Sequence, residues 1–488
     1  MYVGSKKWIS GQNFLYIEGQ KQNQQQKYNS VHSMNNTPIN RRHFIKGSTA
    51  LFALSAFGAH GMDWMDRKDP YRVALIGTGW YGKSDLFRLI QVAPVEVIAI
   101  ADPDKNQRDQ AAELISTRQK SGKKPKTYND HKELLRENKL DIVLVGSPDH
   151  WHALHAIDAI KAGAHVYLQK PISVDVIEGE AILAAARKYK RVVQIGTQRR
   201  STPHLVDAKR KIIDTGMLGK ISHVEMCCYY HMRYNGNPDV EPVPDFFDYD
   251  RWAGPAPKLP YRGLPHRRIW RTLMEYSNGI PGDMCVHMFD AVRWMLDLGW
   301  PKQVYATGGI YVQKGGISTT PDTQTATFSY DELDCVWTHR SWGTPQDPEY
   351  PWAYKIYGDK GTLKASVMKY EFIPQGEGDT ITQTALYERE EYPEDLTEDG
   401  MELHAAPATR RQMINFLEAI EKGGLPVADV EQGHISTASC ILANMSMELG
   451  RPLVYDPKQM IVIGDEEATK LLRRPYRAPY QHPDPKTV

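Results

Sequence analysis

Apolar residues recur along the chain in two rhythms, and the change from one to the other divides it. From residue 70 to about 200, the apolar runs VALIG, VEVIAIA, DIVLVGS, AHVYLQ and VVQIG each read as a buried strand. Between them lie segments of helical period: Lys83 to Gln91, PDKNQRDQAAELI, WHALHAIDAIKAG ending at Gly163, and VIEGEAILAAARKYK. Strands alternating with helices predict right-handed crossovers and a doubly wound parallel α/β sheet over 70–200. Ligands bind beyond the carboxyl ends of such strands, which points to the loops 77–82, 102–104, 147–152, 169–173 and 196–201. From residue 201 to 455 the period becomes two, in GKISHVEMCCYYHMRY, KQVYATGGIYV, DTQTATFSYD, LDCVWTHRSW and WAYKIYG. That pattern predicts an antiparallel sheet, one face on helices and the other available for homo-oligomer contacts. Two amphipathic helices, TRRQMINFLEAIEKGG and EQGHISTASCILANMSMELGRP, complete this second, α+β domain. Residues 456–488 are polar and Pro-rich and are expected to form an extended tail.

The first 62 residues follow neither rhythm. Arg41 and Arg42 are followed by Phe44, Ile45 and Lys46, then by a weakly apolar run from Gly47 to Ala59. A charged start, a short apolar stretch and small residues describe a secretory signal. The run is too short to span a bilayer, which takes about 20 residues. The paired arginines resemble the twin-arginine class, which exports folded proteins, so a periplasmic destination is expected. An ordinary basic amphipathic helix is the competing reading. Met34 lies just ahead of the arginines, and residues 1–33, rich in Gln, Asn and Lys, are expected to precede the native start.

Composition narrows the partners. About 425 residues remain beyond the signal, enough for two domains with substantial cores. A formal net charge of +1 without long charge runs gives no reason to expect nucleic acid or a membrane surface. Cys227, Cys228, Cys285, Cys335 and Cys440 are odd in number and lack metal-ligand spacing, so they read as packing residues and no metal is expected. Eleven Trp and twenty-six Tyr suit sugar rings, and suit cores equally.

The first strand runs into Gly77, Thr78, Gly79, Trp80, Tyr81 and Gly82, a G-x-G-x-x-G ahead of a helix. The glycines permit a tight turn, close approach of backbone to a diphosphate, and close packing of helix on strand. The phosphates would rest on the helix N-terminus. The second strand ends in Asp102, 25 residues after Gly77. An acid there can bond ribose hydroxyls and repel the additional phosphate of NADP, favouring NAD. Asp102 could instead cap the helix that follows.

Chemistry-bearing residues stand at two further places. Lys170 ends a strand ahead of Pro171, which restricts it to extended geometry. GIPGDMCVHMFDAVRWML reads as a helix with Asp283, His287 and Asp290 at i, i+4 and i+7, on one face. Each has a structural alternative: Asp283 as a cap, His287 as a core histidine, Lys170 as a solvated loop residue.

From residue 70 to about 455 the chain resembles the Gfo/Idh/MocA oxidoreductases, which join a dinucleotide domain to an α+β domain with a large, open, mostly antiparallel sheet. Gln169-Lys170-Pro171 is similar to the family's E-K-P motif, and Asp283 and His287 to its D-x-x-x-H helix. The resemblance implies catalytic roles for Lys170, Asp283 and His287. GSPDHWHALHA resembles the cofactor-side loop, implicating Ser147, Pro148 and His152, and QIGTQRRS implicates Gln198 and Arg199. Gln169 departs from the usual glutamate and removes a negative charge beside Lys170. Tyr230, His231, Trp270 and Arg271, in or beside Pro/Gly-rich loops, are further candidates for substrate contact. DYDRWAGPAPKLPY and RRIWR are similar to an exported bacterial branch of the family.

The expectation is an NAD-dependent oxidoreductase acting on a secondary hydroxyl of a sugar, glycoside or polyol. A redox-neutral NAD-dependent glycosidase or epimerase, and a non-catalytic sugar-binding relative, are the alternatives. Met284 stands where the resembling glycosidases carry tyrosine, three positions before the histidine. Export in the folded state implies a cofactor loaded beforehand and held tightly.

Overall fold

The computed structural model describes residue 64 and residues 67–230, 232–266 and 269–488. The export signal expected within residues 1–62 lies outside them, as does His231. Trp64–Val488 forms one compact unit. Its first sheet contains β1 (Tyr71–Ile76), β2 (Val95–Ala101), β3 (Lys126–Tyr128), β4 (Ile142–Val145), β5 (His165–Leu168) and β6 (Val193–Ile195). They lie in the order 3-2-1-4-5-6, all parallel. The crossovers carry α1 (Trp80–Val92), α2 (Lys105–Arg118), α3 (His131–Glu137), α4 (His152–Lys161) and α5 (Val176–Lys188). Helices on both faces bury the central strands completely, hence the continuous apolar runs. Strand order reverses between β1 and β4, and the crevice beyond their carboxyl ends is where a ligand fits.

The second sheet has eight strands: β7 (Ile221–Cys228), β8 (Gln303–Gly309), β9 (Thr323–Ser329), β10 (Asp334–Arg340), β11 (Trp352–Gly358), β12 (Gly361–Ser366), β13 (Lys369–Pro374) and β14 (Ile381–Thr384). Their order is 14-13-12-11-7-10-9-8; β7 and β10 are parallel and the other pairs antiparallel. The helices here are α6 (Pro203–Ala208), α7 (Tyr249–Ala253), α8 (Val286–Met295), α9 (Ala406–Lys422), α10 (Val430–Leu449) and α11 (Glu466–Leu471). Buried and accessible residues alternate along β9 and β10, as period two requires. The buried face packs on α8 and α10; Phe289 stacks on Phe328 with centroids 4.2 Å apart. The other face leaves Tyr305 and Ile373 exposed in the single chain.

Two expectations about the chain's organisation change. The helix expected to belong to the second domain, α9, instead puts Met413, Phe416 and Leu417 into the core of β1 and α1, because its apolar stripe matches the one α1 presents. The segment 456–488 is not a loose tail. It contains α11, and Leu472 O then accepts from Val176 and Ile177 N–H at the start of α5. Arg474 bonds Ser277 O and Asn278 Oδ1, His482 Nε2 lies 2.7 Å from Asp175 Oδ2, and Val488 enters the first sheet's core. Arg474 and His482 meet buried polar partners, while the charged residues of α11 remain in solvent.

Candidate functional site

The loop after β1 is built as its glycines require. Gly77 has φ +87°, and a Cβ there would lie 2.4 Å from Ser147 N. On Gly82 a Cβ would meet Gly77 O at 2.3 Å, so the helix approaches the strand only without side chains. At Gly79 nothing lies within 4 Å of that position, leaving open space at the start of α1. Gly79 offers no side-chain cap and the first turn of α1 holds no acid, which favours an anion there. Asp102, at the end of β2, accepts from Thr78 N and Asp104 N at 2.8 and 2.9 Å. Burial pushes its carboxyl up in spite of these bonds. The cap of α2 is Asp104, not Asp102, so the cap alternative for Asp102 falls away. Open space at Gly79, an uncapped helix start and an acid at the end of the second strand together fit a dinucleotide.

Other residues of this side are placed more variously. Pro148 opens the turn Asp149–Trp151. Ser147 Oγ lies 3.0 Å from His155 Nδ1. His152, expected to touch the cofactor, has Nδ1 2.6 Å from Pro171 O and Nε2 2.8 Å from Ser147 O, so both nitrogens are engaged. Two carbonyl partners favour the charged ring, but burial outweighs them and pushes its pKa down to about 4. A neutral His152 donates to one carbonyl at a time and ties the loop after β4 to the loop after β5. Gln169 also turns inward: its Nε2 donates to Asp85 Oδ2 at 2.6 Å and its Oε1 accepts from Lys170 N at 3.2 Å. Gln169 thus links Lys170 to the Asp85 carboxyl of α1, which burial raises to about 7. Gln198 donates to Tyr81 OH at 2.6 Å, while its Oε1 is buried without a partner.

Lys170 and Asp283 meet. Lys170 Nζ donates to Asp283 Oδ1 at 2.7 Å and to Asp283 O at 2.8 Å. Asp283 lies in a π-helical turn, Pro281–Cys285, that runs directly into α8. Burial opposes its ionisation, but Lys170 and Arg271 outweigh burial and hold the carboxyl below its ordinary value. Arg271 Nε is 3.5 Å from Asp283 Oδ1. His287, in the first turn of α8, is buried, and its Nδ1 has no hydrogen-bond partner. Burial, then the charges of Lys170 and Arg199, push its pKa well below the ordinary histidine value, so the imidazole is neutral. The Trp352 ring meets it edge-on at 5.5 Å and carries the Arg199 guanidinium 5.2 Å above its face.

The third acid of that stretch goes elsewhere. Asp290, with no exposed surface, accepts from Arg200 Nε at 2.8 Å and from Ser436 Oγ at 2.8 Å. The wider π turn offsets Asp283 from the α-helical face on which i, i+4, i+7 would place all three. Trp270 does not offer its ring to a ligand: it is packed with Phe247, Tyr249 and Trp252, and Arg271 covers it at 4.3 Å. Tyr230 is half-buried beside Trp352, centroids 6.0 Å apart. A small cavity beside Asp283 is lined by Met232, Arg271, Ile280 and Thr320. Asp85 and Trp352 border the site without any local sequence signal; Asp149 lies in the loop 147–152, and burial raises its carboxyl to about 7.

Residues 71–197 match the profile of an oxidoreductase family with an NAD-binding Rossmann fold, 206–364 a GFO/IDH/MocA C-terminal domain, and 383–482 an oxidoreductase-family C-terminal alpha/beta domain. The scyllo-inositol 2-dehydrogenase (NAD+) of Bacillus subtilis is 22% identical over 80% of this chain and 97% of its own length. An alpha-N-acetylgalactosaminidase of Shewanella oneidensis is 27% identical over 40% of this chain and 47% of its own length. An inositol 2-dehydrogenase of Salmonella typhimurium is likewise matched over less than half its length, 43%, at 30% identity over 30% of this chain. A levoglucosan dehydrogenase solved with NADH and levoglucosan shares the fold, with a TM-score of 0.60 at 15% identity over 79% of this chain and 99% of that one.

Proposed function

The chain belongs to the Gfo/Idh/MocA oxidoreductase family, and on that premise we propose that it is an NAD-dependent oxidoreductase acting on a secondary hydroxyl of a sugar, glycoside or polyol. The observation that carries this reading is an ammonium fixed on a carboxylate one helical turn from a neutral imidazole with a free Nδ1: Lys170 on Asp283, with His287 four residues further on. Residues Gly77–Gly82 and Asp102 would hold NAD, which supplies the hydride acceptor when bound.

His287 takes the hydroxyl proton; its depressed pKa keeps it unprotonated at neutral pH, the state a base needs. Lys170 donates to the substrate oxygen and favours the negative charge that grows on it as the proton leaves. Asp283 orients Lys170 through two acceptors, its carboxylate and its own carbonyl. Asp85, through Gln169, fastens the backbone at Lys170.

The protein is exported folded by the twin-arginine route with its cofactor already loaded, a reading supported by Arg41-Arg42 ahead of a dinucleotide fingerprint. It assembles as a homo-oligomer through the open face of the second sheet, where Tyr305 and Ile373 are exposed. Addition of myo-inositol, levoglucosan and simple glycosides to NAD-loaded protein, read at the reduced-nicotinamide absorbance, tests the reaction. Hydride transfer that survives Lys170→Ala unchanged would overturn it. Release of aryl aglycone without net redox change would instead establish the glycosidase found among the relatives.

A further inference from the structure

Lys170 and Asp283 lie 113 residues apart in the chain, so their contact depends on whatever holds the two backbones together. Asn278 touches both. It is fully buried just ahead of the turn Pro281–Cys285, and its carbonyl accepts from Gly282 N–H at 3.3 Å and from Asn444 Nδ2 at 3.0 Å. Its side-chain Nδ2 reaches the other backbone, donating to Ser173 O and Val174 O at 3.4 and 3.3 Å. The packing leaves no slack here. A Cβ on Gly282 would lie 2.5 Å from Asn278 Cβ and 3.8 Å from Pro171 Cγ. The residue beside Asp283 thus sits on Asn278 and faces the residue beside Lys170.

The C-terminal segment grips the same two backbones. Arg474 N–H donates at 2.9 Å to Oδ2 of Asp175, which ends the Lys170 loop and caps α5. Its guanidinium donates to Asn278 Oδ1 at 2.7 Å, to Met274 O at 2.6 Å and to Ser277 O at 3.2 Å, all on the chain leading into the Asp283 turn. A planar fork of donors can meet three acceptors set around it, which a single ammonium does less well. The same bond orients the Asn278 amide. With Oδ1 accepting from Arg474, Nδ2 is the atom turned to Ser173 and Val174. His482 adds a second hold on Asp175, at 2.7 Å. Arg474 and Asn278 therefore form a continuous tie between the loop of the ammonium and the turn of its carboxylate.

We infer that Asn278 and Arg474 are positioning residues for the reaction: they hold the Lys170 loop against the Asp283 turn and so aim the ammonium at the substrate oxygen. They act through Lys170. A displacement of about 1 Å at the reacting groups can cost about 10²-fold in rate, which is the scale on which this tie matters. The inference rests on the oxidoreductase reading and goes beyond it.

The test uses the full NAD-loaded chain with myo-inositol and levoglucosan as probes. Asn278→Ala, and the milder Arg474→Lys, which keeps the charge and the backbone N–H, are expected to lower kcat by about 10–10²-fold with KM little changed. NAD affinity and a thermal melt, measured on each variant, control for folding. Because Asn278 acts through Lys170, adding Asn278→Ala to Lys170→Met should lower kcat by less than about twofold more, whereas an effect independent of Lys170 would multiply through in full. A second measurement is read without turnover. Reductive methylation of Lys170 by formaldehyde and cyanoborohydride, followed by peptide mass spectrometry, should quicken several-fold in both variants, with the similarly covered Lys209 unchanged. Variants that keep kcat and the protection of Lys170, or a double variant with the full extra loss, overturn the inference while leaving the reaction standing. Hydride transfer that survives Lys170→Met unchanged overturns the reaction, and methylation of Lys170 then still decides whether Asn278 and Arg474 hold the loop.

Discussion

At one end of the segment Pro281–Met295, Asp290 and Arg293 are saturated with partners. Asp290 accepts from Arg200 and Ser436. Arg293 donates to Gln432 O, Ser436 Oγ and Gly299 O, although burial lowers its pKa to about 10. At the other end, Asp283 meets only the cations of the cleft and His287 keeps a nitrogen unpaired. Both ends are buried and polar. What separates them is whether the fold itself completes the hydrogen bonds. A completed set locks packing, whereas an incomplete one retains capacity for a ligand, at a cost the rest of the fold offsets.

The comparison breaks if the unsaturated end proves structural. Replacing His287 with Asn is expected to cut hydride transfer by about 10²–10⁴-fold with the melting temperature nearly unchanged. A steady-state assay beside a thermal melt checks this, and a variant that melts early but works when folded would reverse the assignment. Lys170→Met is expected to lose about 10²–10³-fold in kcat with NAD affinity retained, since it removes one donor to the developing oxyanion.

The saturated end should behave oppositely. Asp290→Ala strands Arg200 and is expected to cost about 3–5 kcal/mol of stability, measured by urea unfolding. The surviving folded fraction should keep its kcat. A loss of kcat without loss of stability would place Asp290 in the site after all.

A pH dependence follows from the buried histidines. Burial holds His150, His152 and His339 near pKa 4 in the fold, against about 6.5 in the unfolded chain. Between these values the unfolded chain binds more protons, so stability falls as pH drops through 6.5 toward 4, by up to about 1.4 kcal/mol per pH unit for each histidine. Denaturation midpoints that stay flat over that window would show these rings to be solvated. For catalysis the sign is similar: the acid limb attributable to His287 lies below the ordinary histidine value, and Lys170→Met should move it upward by removing a neighbouring cation.

Much of the frame was legible in local pattern. The glycines of 77–82 could be read because their reasons are backbone geometry between neighbours in sequence, and Asp102 because it ends the next strand. Lys170, Asp283 and His287 could be singled out by type and setting. Their surroundings could not. Asp85 reaches Gln169 from 84 residues away, Trp270 turned from candidate contact to core, and the polar segment 456–488 turned from tail to clasp. Periodicity records which face of an element is buried, and is silent about what lies against it.

By itself the sequence determined the two-domain order, the parallel and antiparallel sheets and the dinucleotide loop, since each follows from hydrogen bonding and burial within a few tens of residues. Only the tertiary structure decided which buried polar groups are satisfied. It paired Asp290 with Arg200 and left His287 Nδ1 and the Nε and Nη1 of Arg199 without partners. Satisfaction depends on atoms brought within about 3 Å of one another from distant parts of the chain.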